Sequence, residues 1–214
     1  MRLRNIKGAQ DIIRQSCYYI DNPKNYKGKF NELFNNKNDI EIEIGMGKGD
    51  FIINKAISNP NINFIGIEKY PTVLLKAFKK LDNYKLNNLK IICIDAKEID
   101  EVFSKEIKKI YLNFSDPWPK KKHADRRLTS SIFLEKYSKI FKDDYVIEMK
   151  TDNKKLFEYS LVTFSQNDYI FDEVNLDLYT NLNEDNIQTE YEKKFVNLGM
   201  PIYKLRVIHK ICKK

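Results

Sequence analysis

The feature that most constrains the fold of this chain is a regular alternation of strand-like and helix-like segments that begins at residue 40. Residues 40–44 alternate isoleucine with glutamate, and a period of two in β-branched residues indicates a strand. Strands are predicted at 40–44, 63–68, 89–94, 109–114 and 145–149, and the helices that follow them are predicted at 49–58, 71–82, 97–104, 129–141 and 153–166. This alternation predicts right-handed crossovers and a mainly parallel sheet.

The segments on either side of this pattern are less regular. Residues 1–38 are polar with little periodicity, so we predict a basic N-terminal arm with a short helix near 29–34, followed by a single domain at 39–214. Two late strands are predicted at 169–178 and 203–210, and the long connection between them contains no convincing helix. These two strands are therefore predicted to form an antiparallel pair at the edge of the sheet.

Charge and cysteine content narrow the class of partner. The 38 basic and 30 acidic residues give a net charge of +8, which favours a polyanionic partner for one face of the protein. Cys17, Cys93 and Cys212 are far apart and form no Cys-x-x-Cys pair, so neither a disulfide framework nor a metal site is expected. Because no apolar run reaches the roughly 18 residues of a membrane span and no signal peptide is recognisable, a cytoplasmic protein is expected.

The turn between the first predicted strand and helix carries Gly45, Gly47 and Gly49. Glycine permits a tight turn and close approach of a ligand to the backbone. A dinucleotide-binding fingerprint would need glycine at position 50, which is Asp50, and a phosphate-binding P-loop would need Gly-Lys-Ser/Thr, which is absent. Glu43 precedes the turn, and an acid there disfavours phosphate and favours a cation. S-adenosylmethionine fits, since it carries a sulfonium and an ammonium group.

Acidic residues also follow the next strands. In open parallel sheets, ligands bind outside the carboxyl ends of the strands. Glu68 is suited to a ribose diol, because a carboxylate can accept two hydroxyl hydrogen bonds, and Asp95 is suited to an adenine amino group. The alternative is a glycine-rich turn with unrelated surface acids, but three acids at three successive strand ends favour a nucleoside cofactor. The predicted cofactor site comprises Glu43, Gly45, Gly47, Glu68, Asp95 and Asp116.

The segment after the fourth predicted strand, Asn113 to Pro119, is the predicted reaction loop. Prolines on both sides of Trp118 stiffen it, and a rigid loop can position a planar methyl acceptor. Trp118 could stack on a base, or it could pack the loop onto the sheet. Asp116 is the candidate catalytic residue, because its carboxylate could accept hydrogen bonds from the base and offset positive charge on an alkylated ring.

A basic run follows the reaction loop, with five Lys or Arg among the eight residues from Lys120 to Arg127. A charge run is usually a solvated surface, but its position beside the reaction loop favours a grip on a phosphate backbone. His123 is interpreted as an RNA-contacting or loop residue, since the sequence offers no partners that would complete a metal site with it.

With these motifs in view, the chain resembles the bacterial tRNA (guanine-N7-)-methyltransferase family over nearly its whole length. The motifs that carry the resemblance are Lys7–Ala9, Asn25–Lys29, Glu43–Gly49, Gly66–Glu68, Tyr111–His123, Lys150–Asn153 and Thr189–Phe195. The resemblance implies a Rossmann-like class I methyltransferase, an α/β fold with a mostly parallel seven-stranded sheet and an antiparallel edge strand. It also implies S-adenosylmethionine as cofactor and tRNA as partner, with methylation at N7 of the guanine at position 46 of the variable loop.

The resemblance further assigns roles to individual residues. It places Glu43, Glu68, Asp95 and Asp116 at the cofactor. It implies that guanine is touched by Lys120, Asp152, Thr189, Glu190, Tyr191 and Glu192, and that RNA is contacted by Lys122, His123, Ala124, Asp125, Arg126 and Arg127. Lys122 stands where the family often has arginine, so a bidentate phosphate grip is lost there.

Several alternatives remain open at this level. Thr189 and Glu192 have the spacing of a helix capping box, which could be their role instead of, or besides, substrate contact. Guanine N7 carries a lone pair and no proton, so no strong general base is required. A methyltransferase that acts on an exocyclic base amine and a non-catalytic RNA-binding module are the competing functions, and both monomer and homodimer are compatible with the sequence.

Overall fold

The computed structural model describes residues 6–180 and 186–210, which form one seven-stranded sheet with helices packed on it. The strands are β1 (Ile40–Ile44), β2 (Asn63–Glu68), β3 (Leu89–Cys93), β4 (Ile107–Asn113), β5 (Phe141–Thr151), β6 (Ile170–Asn175) and β7 (Tyr203–His209). The helices are α1 (Ala9–Arg14), α2 (Asp50–Ser58), α3 (Pro71–Leu81), α4 (Ile99–Val102), α5 (Ser131–Ile140), α6 (Lys154–Gln166) and α7 (Glu190–Asn197). Short 3-10 helices cover Pro23–Tyr26, Phe30–Phe34, Ala96–Glu98 and Lys121–Arg126.

The strand order is β3-β2-β1-β4-β5-β7-β6, with β1 to β5 parallel to one another. This confirms the predicted mainly parallel sheet. The two late strands form the predicted antiparallel pair at the edge of the sheet: β7 pairs with β5 on one side and with β6, the outermost strand, on the other. Insertion between two strands buries Leu205 and Val207 of β7, a gain in apolar burial that an outer position would not provide.

The sheet buries two apolar clusters, and their division follows the strand alternation. Ile42, Ile110 and Ile147 lie in one cluster with the core-facing residues of α5 and α6. The other cluster lies on the opposite face of the sheet, where α2 and α3 pack, and includes Phe51, Leu74 and Phe64. The carboxyl ends of β1, β2, β4 and β5 therefore stay at one side, between these packed layers, where the predicted ligand would bind.

Two local predictions need correction. The connection between β6 and β7 does contain a helix, α7, whose first turn is closed by a capping box that the apolar periodicity did not reveal. The segment before β1 also contains α1, which was not predicted and which packs against α3, whereas the short helix predicted near 29–34 is present as Phe30–Phe34. Ile13 and Phe30 are fully buried, so this segment packs on the body of the protein.

Other expectations concern cysteines, membranes and metals. Cys17 and Cys93 are free thiols, and Cys212 lies outside the described residues. None of the helices in residues 6–180 and 186–210 is long and apolar enough to cross a membrane. Within those same ranges, no cluster of three or more His, Cys, Asp or Glu side chains is arranged to hold a metal ion.

Gly66 in β2 makes the tightest packing contact beneath the glycine turn. A Cβ added at Gly66 would lie 2.2 Å from Sδ of Met46, which is itself buried beside Gly49. We therefore expect Gly66→Ala to lower the free energy of unfolding by about 1–3 kcal/mol, the usual cost of overpacking a core, as measured by chemical denaturation. In a Met46→Ala background the added methyl occupies vacated space, so the double variant should be more stable than the sum of the two single losses. Additive losses would contradict this explanation.

Candidate active site

The glycine turn after β1 is held against the end of β2 by backbone hydrogen bonds. The amides of Gly45 and Met46 both donate to the carbonyl of Ile67, at 2.8 and 3.0 Å. Gly45 and Gly47 have φ angles of 80° and 56°, in the left-handed region that glycine adopts without a steric penalty. A Cβ at either position would meet no neighbouring atom, so this side of the turn leaves room for a ligand to approach the backbone.

Glu68, at the end of β2, accepts three backbone hydrogen bonds from the surrounding turns. Its Oε2 accepts from the amide of Gly47 at 3.1 Å, and its Oε1 accepts from the amides of Lys69 and Tyr70 at 2.8 and 3.1 Å. Burial raises the pKa of this carboxyl, while the three donors oppose the rise. Glu68 therefore joins the glycine turn to the end of β2.

Glu43, on β1, is the most deeply placed acid of the site, with 2% of its surface exposed. Its Oε1 accepts a 2.9 Å hydrogen bond from the Asn113 side chain of β4, while Oε2 is buried with no hydrogen-bond partner in the described part of the chain. Burial raises the pKa of Glu43 to about 7, although the Asn113 hydrogen bond and the charge of Lys150 lower it. The backbone of Ile52 also lowers this pKa. A buried acceptor without a full set of donors is costly, so this oxygen is a candidate acceptor for a donor supplied by a ligand.

Asp95 lies at the end of β3, more exposed than Glu43 and Glu68. Its Oδ1 accepts from the amide of Lys97 at 3.0 Å, which caps the 3-10 helix Ala96–Glu98. Its Oδ2 pairs with Nζ of Lys69 at 2.7 Å. Burial alone would raise the pKa of Asp95, but the hydrogen bonds from Lys69 and Lys97 and their positive charges bring it below its usual value.

The predicted reaction loop contains two residues with strained backbone. Phe114 and Trp118 have φ angles of 51° and 39°, which non-glycine residues seldom adopt unless the surrounding structure enforces it. The amide of Phe114 donates to the carbonyl of Lys150 at 2.8 Å. Trp118 makes an edge contact with His123 at 5.7 Å between ring centroids, and the Arg126 guanidinium lies 4.9 Å from its ring. Trp118 therefore packs against the basic run.

Asp116 is exposed in the reaction loop, three residues after the end of β4. Its charge contributes to raising the pKa of Glu68. Burial raises the pKa of Tyr191, and the negative charges of Asp152 and Asp116 add to the rise, so both charges act on the same tyrosine. Tyr191 is half exposed and its ring lies 5.4 Å from that of Phe114. This end of the sheet therefore presents two aromatic rings next to two carboxylates.

The residues predicted to touch guanine fall into two groups. Thr189 caps α7, Glu190 pairs with Lys48 of the glycine turn, and Tyr191 is half exposed beside Phe114. Glu192, in contrast, has no exposed surface. Its carboxylate forms the capping box with Thr189 and a 2.6 Å ion pair with Lys150 of β5. The capping role considered from the sequence is confirmed, and a direct contact between Glu192 and a substrate would require this buried arrangement to open.

The basic run also divides, since Lys120, Lys121 and Lys122 are exposed whereas Arg127 is half-buried in protein contacts. The Arg127 guanidinium donates to the carbonyls of Pro117 and Trp118 at 3.1 and 3.0 Å and lies 4.2 Å from the ring of Tyr159. Ala124 and Asp125 lie within or beside the 3-10 helix, where the Asp125 carbonyl accepts from Ser130. In this structure Arg127 shapes the reaction loop, although RNA contact was predicted for it.

Arg127 offers a test of that distinction. We expect Arg127→Lys to lower the rate of methyl transfer about tenfold, because lysine keeps the charge but loses the fork that holds two carbonyls. The KM for RNA should change less than threefold in steady-state assays. Lys122→Ala is the comparison variant, and its loss of an exposed phosphate-binding charge should raise KM instead. A rise in KM for Arg127→Lys with an unchanged rate would restore the RNA-contact role.

Two functional residues were missing from the sequence prediction. Asn113 donates a hydrogen bond to Glu43 and orients it. Lys150 is 1% exposed, and three acceptors surround its ammonium group. The available signal for Lys150 was a charged residue at the end of a strand whose neighbours Ile147 and Met149 are apolar. Long charged side chains are almost never fully buried unless they are paired. A lysine at this position therefore indicates a buried acidic or hydrogen-bonding partner elsewhere in the chain.

Comparison with known proteins adds an independent line of observation. A family model described as "Putative methyltransferase" matches residues 37–205. A tRNA (guanine-N(7)-)-methyltransferase from Geobacillus is 51% identical over 97% of this chain and 95% of its own length. Proteins of the same name are 48% identical in Lachnoclostridium phytofermentans (96% of this chain, 97% of the relative) and 47% identical in Bacillus subtilis (97% and 98%).

Solved structures share the fold at much lower sequence identity. The 16S rRNA methyltransferase KamB aligns with a TM-score of 0.66 at 11% identity, covering 86% of this chain and 93% of that one. A 16S rRNA (adenine(1408)-N(1))-methyltransferase from Catenulisporales acidiphilia, solved with its cosubstrate, aligns with a TM-score of 0.62 at 12% identity, covering 91% and 94%. At these identities the likeness concerns the fold.

Proposed function

This chain belongs to the family of tRNA (guanine-N7-)-methyltransferases, and on that premise we propose that it transfers a methyl group from S-adenosylmethionine to N7 of a guanine in tRNA. It is a methyltransferase of the Rossmann-like class I fold. The finer assignment, to the guanine at position 46 of the variable loop, is part of the same proposal. The geometry supports it through the acids and aromatic rings at the carboxyl ends of the strands.

The observation that carries the cofactor assignment is the partnerless buried oxygen of Glu43. An ammonium group on the cofactor's amino acid moiety would supply the donor and the positive charge that this carboxylate lacks, which makes the residues present a fit for S-adenosylmethionine. Gly45 and Gly47 leave open space beside the turn, and the part of the cofactor that packs against the protein backbone would lie there. Glu68 and Asp95, at the next two strand ends, would accept hydrogen bonds from its ribose and adenine.

When bound, S-adenosylmethionine supplies an electrophilic methyl group, so the protein's task is to place the acceptor and to stabilise charge. Guanine N7 would attack the methyl carbon with its own lone pair while the S–CH3 bond breaks, so that the neutral thioether S-adenosylhomocysteine leaves and the methylated ring carries the positive charge. Asp116 and Asp152, whose charges both act on Tyr191, would stabilise that cation, and the rings of Tyr191 and Phe114 would offer a surface for the base. No proton has to be removed from N7, so this reaction requires no general base.

Recognition of the RNA strand falls to the exposed cations beside the reaction loop. Lys120, Lys121 and Lys122 are exposed next to it. We propose that Lys121 and Lys122 bind phosphates flanking the target nucleotide and that Lys120 contacts the guanine, whereas Arg127 holds the loop. Phosphate contacts position the RNA without reading its sequence, so selection of the nucleotide would rest on the aspartates and aromatic rings.

The proposed function is tested with the purified protein, S-adenosylmethionine and an unmodified tRNA transcript, followed by nucleoside mass spectrometry. We expect 7-methylguanosine from a transcript with guanine at position 46 and none from a matched transcript carrying adenine there. N2-methylguanosine or another amine-methylated nucleoside would support the alternative base-amine reaction. RNA binding with no methylated product and no cofactor binding would identify a non-catalytic module.

A further inference from the structure

The buried network around Lys150 is the largest feature that the proposed function leaves unused. The ammonium group of Lys150 has three acceptors: Glu192 Oε2 at 2.6 Å, the carbonyl of Ile187 at 2.9 Å and Asn186 Oδ1 at 3.2 Å. A lysine has three N–H donors, so every one of them can be satisfied. All three acceptors lie in residues 186–192, the segment that leads into and begins α7 and that we call the substrate segment.

Glu192 completes the network from the other side. Its Oε2 also accepts from the amide of Thr189 at 3.2 Å, and its Oε1 accepts from the hydroxyl of Tyr179 at 2.9 Å and the side-chain amide of Asn186 at 3.0 Å. With four donors and no exposed surface, this carboxylate has little capacity left for a base edge. Its contacts instead hold the substrate segment at Asn186 and Thr189 and tie it to Lys150.

Lys150 also contacts the rest of the site through its backbone and its charge. Its carbonyl accepts from the amide of Phe114, the strained residue that begins the reaction loop. Phe114 in turn lies against Tyr191 of the substrate segment. The positive charge of Lys150 acts on Glu43 in the cofactor region. One residue of β5 therefore joins three parts of the site that are distant in sequence.

From this arrangement we propose that Lys150 and Glu192 are a positioning pair for methyl transfer: they hold Thr189 to Tyr191 against the reaction loop and touch neither guanine nor cofactor. The proposal rests on the proposed function. It gives Glu192 a positioning role in place of the guanine contact that the family resemblance implied. A buried pair of this kind gives little net stability compared with apolar replacements. It does fix geometry, and a displacement of about 1 Å in a site can cost about a hundredfold in rate.

The variants are Lys150→Met, Glu192→Gln and the double variant Lys150→Met/Glu192→Gln. We expect each single variant to lower kcat about a hundredfold, with the KM for tRNA and the Kd for S-adenosylmethionine changed less than about fivefold. Hydrogen exchange of residues 186–192 should speed up in each of them. Because the two residues act as a unit, the double variant should lose no more activity than the worse single variant.

A matched control is Lys109→Met. It breaks the ion pair between Lys109 of β4 and Glu148 of β5, whose side chains are 15% and 14% exposed. It should lower the midpoint of thermal unfolding but leave exchange in residues 186–192 and kcat near wild type. Loss of kcat in Lys109→Met comparable to that in Lys150→Met would reduce the pair to a general stabilising role and overturn the proposal.

Two further outcomes separate the possibilities. If Glu192→Gln loses activity while hydrogen exchange of residues 186–192 stays at the wild-type rate, and the losses of the single variants multiply in the double variant, Glu192 contacts the substrate directly and the positioning proposal fails. If the wild-type protein yields no 7-methylguanosine in the same assay, the proposed function fails first. An active wild type with fully active Lys150→Met and Glu192→Gln variants overturns only the positioning pair.

Discussion

Replacing Asp116 with asparagine should lower kcat/KM for tRNA methylation by about a hundredfold to a thousandfold, the usual cost of removing one electrostatic contact to a developing charge. Asparagine keeps the size and hydrogen-bonding capacity of the side chain but removes its negative charge. The carboxylate is exposed, so the free energy of unfolding should change by no more than about 0.5 kcal/mol. Single-turnover methyl transfer and thermal unfolding, measured on the same preparation, give both quantities.

The control for this prediction is Asp143→Asn, an equally exposed carboxylate near the start of β5 and thus at the opposite end of the sheet from the site. It should leave both the rate and the stability unchanged. Asp152→Asn should also lower the rate, because the charge of Asp152 acts on the same tyrosine, Tyr191, as that of Asp116. Full activity in Asp116→Asn would remove this residue from the chemistry and leave charge stabilisation to Asp152 alone.

The second large effect is expected at Glu43, where the affinity for S-adenosylmethionine should depend on pH. The pKa of this buried carboxyl is raised to about 7, so it loses its negative charge as the pH falls through that value. Binding of an ammonium group requires the charged form. The Kd should therefore be constant above pH 8 and should rise about tenfold per pH unit below 7. Isothermal titration calorimetry between pH 5.5 and 8.5 measures this directly.

Glu43→Gln is the matched variant, since it keeps the shape and one acceptor of the side chain. Its Kd at pH 8 should be about a hundredfold higher than that of the wild type, and the pH dependence should be absent. The sign for stability is opposite: a raised carboxyl pKa favours the folded state at low pH, and that contribution is lost as the pH rises through 7. Glu43→Gln should therefore be at least as stable as the wild type at pH 8. A pH-independent Kd in the wild type would show that Glu43 does not face a cation.

The sequence was most informative where one short pattern decides the outcome. Alternation in residues 40–44 defines β1 without reference to the rest of the chain, and the acids at the strand ends could be placed because parallel strands bring their carboxyl ends together. Glu43 and Glu68 could therefore be predicted as neighbours. Their states of ionisation could not, because these depend on burial and on Asn113, Lys150 and the backbone of the turns.

Contacts between distant segments were beyond the sequence pattern. Lys150 and Glu192 are 42 positions apart, and nothing local to either residue indicates the other. Arg127 sits in a basic run whose charge predicts RNA contact, yet its guanidinium is held by carbonyls of the preceding loop. The order of β6 and β7 was equally hidden, since an antiparallel pair has the same sequence pattern in either order.

The position of β7 has a consequence for how the site forms during synthesis. β6 emerges from the ribosome before β7, but its ladder in the sheet is with β7 alone. Until β7 is available, one side of β5 therefore lacks its neighbour, and the substrate segment has no anchored strand after it. A nascent chain stopped before Tyr203 would expose an unpaired strand edge, which is prone to non-native pairing. Activity would thus be acquired only after synthesis has passed β7.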